Sequence, residues 1–443
     1  MGKRSHYLLL LTTLTIVILL TAIPVSIINA STLSENALTI SEICKTLGEK
    51  LYSKITKKIG DIDYTYTLIL SNAKYLISHE CSLYPVLTPF IKSGFEPLYS
   101  LIPVHTPYYN NLWIFTYRDD THQAIYIEID REILDKAIED VVKGKAVEDA
   151  VSNILTNGII KESVFTFDPE KIVEEGKKDP ETIWSTIEDN TNSAYAFSIL
   201  TITIMWSYGA PQEILLASEL HNHICPGLIS GILMINYLDN MGYIGPSTKI
   251  YVLASPVWCK DDAFIQLLDT TPGKRRMVIK LLTKDEENTL KEKFGTDIAG
   301  IIFVMMPDKT GKAYIMAFNW NKACKLAGIE RKMFKGKYWW WTRVVMNIKL
   351  LELLDKPEEL VSVIKTIEVK GYIGRYPQLY YNASLVGADP YTLMGIISEA
   401  IETSQTTPET QPTNYTTYII TVLIIIIIIL IIALAYIYTK AKK

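Results

Sequence analysis

The sequence predicts an α+β fold, a mixed sheet with packed helices. Two observations carry this. Stretches with helical three-to-four spacing alternate with short β-branched and aromatic runs, and no strict strand–helix–strand rhythm orders them. At 443 residues and 49% apolar composition, the chain also has ample material for sizeable cores.

Residues 34 to 78 read as helical, with apolar positions at Leu38, Ile40, Ile43, Leu47 and Leu51. Tyr75 to Leu101 reads as broken helices interrupted by Pro85 and Pro89. Leu112 to Tyr117 and Ala124 to Ile129 are expected strands around a turn, followed by a helix over Arg131 to Asn153. The charged stretch Phe167 to Thr191 is the expected boundary between two halves. Beyond it, Pro211 to Leu220 and Pro226 to Asn240 read as helices, Lys249 to Ala254 as a strand and Asp261 to Leu268 as a helix. Met277 to Leu282, Ile298 to Met305 and Ala313 to Phe318 are strand candidates. A helix from Trp320 to Ala327 is stopped by Gly328. The aromatic run at Tyr338 opens an expected strand to Leu350, Glu358 to Ile367 reads as helical, and Pro390 to Ile401 closes the body. A faint echo links Asp119-Asp120-Thr121-His122-Gln123-Ala124 to Asp308-Lys309-Thr310-Gly311-Lys312-Ala313, in which Asp, Thr and Ala coincide.

The two ends set expectations about compartment. Tyr7 to Ile28 is nearly continuous apolar and preceded by Lys3 and Arg4, so residues 1–30 read as a signal peptide or an N-terminal anchor. Tyr418 to Tyr438 carries no charge and would span about 31 Å as a helix at 1.5 Å per residue. Lys440, Lys442 and Lys443 follow, which places residues 439–443 as a basic cytoplasmic tail. Residues 401–417, rich in Thr and Pro, read as a stalk. The expectation is a single-pass, C-terminally anchored cell-surface protein with an extracytoplasmic body. Asn29, Asn382 and Asn414 head glycosylation triplets, which permit the modification in that compartment.

The chain carries 44 basic and 48 acidic side chains; without the five basic residues outside the apolar ends the balance is −9. This excludes a general nucleic-acid binder, which needs a positive footprint. Five cysteines are too few for a disulfide scaffold, although Cys44 and Cys81 are spaced to permit a bridge. Cys324 reads as a buried small hydrophobe.

The densest chemical phrase is His221-Asn222-His223-Ile224-Cys225-Pro226-Gly227, with two of the six histidines and one of the five cysteines in five positions. Pro226 suits the first turn of a helix. His221, His223 and Cys225 therefore precede a helix N-terminus, which favours a thiolate or an anion. In an extended segment His221 and His223 would share a side. Imidazole and thiolate suit zinc and related borderline metals. Cys259 is the natural further donor, with Asp262 as ligand or as a partner that orients a histidine. Such a site requires the Cys225 and Cys259 sulfurs to lie within about 8 Å. The alternative is a pair of surface histidines and two core cysteines.

Taken with Trp258-Cys259-x-x-Asp262-Ala263, Thr270-Thr271-Pro272-Gly273-Lys274 and Gly311-Lys312-Ala313, the phrase resembles the FmdE domain family, which takes its name from formylmethanofuran dehydrogenase. The resemblance covers roughly residues 195 to 335. It implies an α+β metal-binding domain, zinc as the usual ion, a tendency to form homodimers and a methane-producing archaeon as the source. Residue by residue it implies His223 and Cys225 as a pair at the metal, His221 as a ligand or its support, and Cys259 with Asp262 facing them. The chain departs from the family at Thr270, where a cysteine is usual, and lacks the Cys-x-x-Cys finger that often follows. The expected layout is a mostly helical region over 31–190, allowing a degenerate repeat, and an FmdE-like domain with its extension over 191–400. Lys274, Arg275 and Arg276 are candidates for an anionic cofactor, or a solvated turn.

The expected function is metal binding, or binding of a metal-associated small molecule, at a membrane. The alternatives are a metal-dependent hydrolase with Asp262 as its base, and a structural surface protein stapled by its metal.

Overall fold

In a computed structural model of the chain, residues 36–97 and 99–396 are described. The expected leader or anchor (1–30), stalk, apolar span and basic tail lie outside them. Among the described residues no helix is long and apolar enough to cross a membrane. The described residues up to Val386 form one compact unit; in the second unit, from Gly387 on, the Asp389 side chain caps the short helix Pro390–Leu393.

The first unit holds two five-stranded mixed sheets. The first contains β1 (Thr67–Ser71), β2 (Leu101–Pro103), β3 (Leu112–Arg118), β4 (Gln123–Ile129) and β5 (Ile159–Thr166), in the order β2-β1-β3-β4-β5. The second contains β6 (Lys249–Ala254), β7 (Met277–Ile279), β8 (Asp297–Met305), β9 (Gly311–Phe318) and β10 (Val361–Val369), in the order β7-β6-β8-β9-β10. β1 runs parallel to β2 and β6 parallel to β7, and every other pairing is antiparallel. The two sheets therefore repeat one topology. The Asp/Thr/Ala echo falls on the hairpin turn between the third and fourth strand of each, joining Arg118 to Gln123 and Met305 to Gly311.

The equivalence extends to the helices. A lead helix precedes each first strand: residues 36–59 in the first half and Pro226–Asn240 in the second. Each carries a glycine at a close crossing. A Cβ on Gly48 would meet the Val86 carbonyl oxygen at 2.2 Å, and one on Gly231 would meet that of Lys260 at 2.6 Å. Both contacts lie with the segment that carries the chain from the first strand to its parallel neighbour.

Alternation across the first sheet separates two cores. Trp113, Phe115, Tyr117 and Tyr126 face the helix Ser193–Ser207, while Ile114, Ile125 and Ile127 pack with the lead helix. Covering both faces explains the near-continuous apolar strands. It also explains why β1, inside the stretch read as helical over 34–78, shows no strand-like alternation: all five of its residues are buried.

The boundary stretch Phe167 to Thr191 forms the helices Pro169–Lys178 and Pro180–Asn190, capped by the Asp168 and Asp179 side chains. Two other expectations are corrected. The tryptophan run is helix Trp339–Leu351, not strand: Trp340 Nε1 donates to Pro180 O at 2.9 Å and Trp341 Nε1 to Val173 O at 2.7 Å. Glu358 to Ile367, expected as helix, is mostly β10, paired from Val361↔Phe318 to Val369↔Gly311.

Candidate metal centre

Three segments converge at one end of the second lead helix. The bridging helix Gln212–His221 ends at His221 because Asn222 takes a left-handed conformation, φ 58°. The chain then turns to Cys225, which caps the lead helix ahead of Pro226. Ile224, between them, is pinned by two buried side chains: its N–H donates to Thr201 Oγ1 at 3.1 Å and its carbonyl accepts from Asn347 Nδ2 at 2.8 Å. Cys259 caps the crossover helix Lys260–Leu268. Both thiols thus sit at helix N-termini, where backbone N–H groups favour negative charge.

The Cys259 turn is held rigidly. Trp258 N–H donates to Asp261 Oδ2 at 2.9 Å, and Trp258 Nε1 donates to Ser230 Oγ on the lead helix at 3.2 Å. The fully buried Lys260 donates to both Asp261 oxygens at 2.8 Å and to Pro256 O at 2.9 Å, with its ammonium 4.1 Å from the Trp258 ring centroid. Breaking such a buried pair by removing one partner costs about 3–5 kcal/mol.

His221, Cys225 and Cys259 offer one nitrogen and two sulfurs, all within 4.8 Å of one another. His221 Nε2 lies 3.6 Å from Cys225 Sγ. Tetrahedral bonds of about 2.1 Å to nitrogen and about 2.3 Å to sulfur separate those atoms by about 3.6 Å, so the donor set fits a zinc-class ion. Gly227 supplies the room: a Cβ there would lie 3.2 Å from Cys259 Sγ and 3.6 Å from Cys225 Sγ.

Asp262 Oδ2 accepts from His221 Nδ1 at 2.7 Å. A carboxylate only accepts, so Nδ1 donates this bond and Nε2 is the nitrogen that faces the sulfurs. His223 stands outside the donor group. Its Nδ1 donates to Asn222 Oδ1 at 2.9 Å, and its ring packs 4.3 Å from His221 and 5.0 Å from Phe197. Two histidines on one side require an extended segment, and the left-handed turn at Asn222 removes that premise.

The two cysteines are unequal in charge. A hydrogen bond from Cys225, then one with His221, hold the Cys259 thiol down at about 5. Donating that bond, together with burial, pushes Cys225 well up. Burial opposes charge on His221, yet its bonds to Asp262 and Cys259 prevail and lift it to about 9. Burial, with His221 and Arg343 nearby, drives His223 down to about 3.

A cavity of about 450 Å³ adjoins the two sulfurs. Trp258, Trp320 and Phe334 give it apolar walls, and Arg331, Lys335 and Arg343 give it positive ones. Cys324, expected as a core residue, is buried and also lines it. The basic triplet does not contribute. Lys274 and Arg276 pair with Asp269, and the Arg275 carbonyl accepts from Tyr380. Sequence reasoning missed Arg343 because it sits within an aromatic run taken for a strand. It also missed Thr201 and Asn347, which are far from the motif and polar in otherwise apolar helices.

The fold and site together describe an α+β domain in which one imidazole and two cysteines could hold a metal ion. Residues 220–354 match the family described as FmdE, molybdenum formylmethanofuran dehydrogenase operon, so an FmdE domain occupies just under a third of the chain. No curated protein matches the chain.

Proposed function

We propose that the chain is a metal-binding protein, tethered outside an archaeal cell by its C-terminal apolar stretch, whose FmdE domain holds a zinc-class ion on His221, Cys225 and Cys259. The convergence of these three soft donors carries the reading. The oily ends of the sequence support the tether, and the family resemblance supports the archaeal source. Three protein donors leave one position of a tetrahedral ion for a ligand, and the neighbouring cavity has space for it. The ion would act there as a Lewis acid or anchor for that ligand.

The hydrolase alternative finds less support. Asp262 is engaged behind His221 and is not among the cavity-lining residues, so it serves the histidine rather than a substrate. A purely structural staple calls for a fourth protein donor, and among the described residues the donor group has three.

Elemental analysis of the full chain, purified and loaded with zinc, tests the reading. We expect about one ion per chain, falling below about a tenth of that in Cys225→Ser with the fold retained by circular dichroism. Equal zinc in parent and variant would overturn it.

A further inference from the structure

We infer that the cavity beside the metal centre binds a small organic acid, its anionic group held by Arg343 and Lys335 and its apolar body lying along Trp258, Trp320 and Phe334. This rests on the metal reading above and names the ligand class that reading leaves open.

Charge accounting leads there. A divalent ion on two thiolates and a neutral imidazole has a formal charge of zero. Arg331 is already paired with Asp297 at 3.2 Å. Among the described residues, no carboxylate pairs with Arg343 or Lys335, the two remaining cations of the wall. Arg343 is half-buried, and one of its guanidinium nitrogens donates to the carbonyls of Trp339 at 2.7 Å and Phe334 at 3.1 Å. Those bonds fix the guanidinium without neutralising it. With the thiolates committed to the ion, two positive charges face an otherwise apolar space. A partly desolvated guanidinium is best satisfied by a carboxylate or phosphate. The walls are aromatic and the volume is that of a small-molecule site, which selects an acid with an apolar body over a bare inorganic anion.

The test uses the full zinc-loaded chain and three probes read by titration calorimetry, with zinc content measured on each sample. Benzoate is the organic acid, benzamide its neutral counterpart, and acetate the same charge without the ring. We expect benzoate to bind about tenfold or more tighter than either of the others. Arg343→Gln and the exposed Lys335→Gln should each erase most of that preference at unchanged zinc content, and Lys274→Gln should leave it intact. Equal binding of benzoate and benzamide, equal binding of benzoate and acetate, no binding of any probe, or a preference that survives both cavity variants would overturn the inference while one zinc per chain remained. Loss of zinc from the parent chain would instead overturn the metal reading, and this inference with it.

Discussion

The two halves of the first unit share a topology down to the parallel pair and the hairpin, yet only one carries a candidate metal centre among the described residues. The difference lies at one corner, just after the first strand. In the second half, four residues after β6 lead to Cys259. In the first, β1 is followed at once by Asn72, whose buried side chain donates to Asn111 O at 2.8 Å and accepts from Trp113 N–H at 3.0 Å. Lys74 and Tyr75 come next and hydrogen-bond the Glu219 carboxylate. The same corner is a polar staple in one half and a soft-donor cluster in the other. The scaffold requires a closely packed crossing there; what fills the corner is free to differ.

The two crossing glycines give the largest expected effect. Gly48→Ala and Gly231→Ala each force a methyl group against a backbone carbonyl, which outweighs the gain in helix propensity. We expect each to cost about 1–3 kcal/mol in denaturant unfolding. Only Gly231→Ala should also weaken zinc binding, because only that crossing brings two thiols together. If Gly48→Ala released zinc as readily, the halves would not be chemically separate.

Asp262→Asn sharpens the comparison within the second half. It keeps the shape but weakens the bond that orients His221, so zinc affinity should fall about 10–100-fold in competition with a chelator, with little change in melting temperature. An unchanged affinity would mean that Asp262 does not support the ligand.

The smallest effect is expected on the first half's staple. Glu219→Gln removes the charge that meets Lys74, whose side chain is 45% exposed, while the amide oxygen still accepts from Tyr75. The cost should stay below about 1 kcal/mol. A much larger loss in denaturant unfolding would show that the staple holds the halves together.

Legibility in the sequence follows locality. The lead helix Pro226–Asn240 and strand β6 are readable to the residue, because Pro226 marks a first turn and β6 is β-branched and bounded. The tryptophan helix is not, since its aromatic residues favour strands in isolation and become helical by packing on helices some 160 residues earlier. The Asp-Pro pairs at 168–169 and 179–180 are helix starts in plain view, obscured by the charge around them. At the site, the motif identifies the right phrase, but local spacing does not tell which histidine turns toward the sulfurs. That depends on one backbone angle at Asn222 and on Thr201 and Asn347, contributed by other helices.

The bridging helix works as an axle. Glu219 and His221 project about 200° apart on it, at 100° per residue, so one side chain is gripped by the first sheet's corner and the other completes the donor group. Both grips fall in the helix's last turn, two residues apart, so a turn of that segment that moved one side chain would move the other. A change at Tyr75 that displaced Glu219 would therefore be carried to His221, a side chain Tyr75 does not touch.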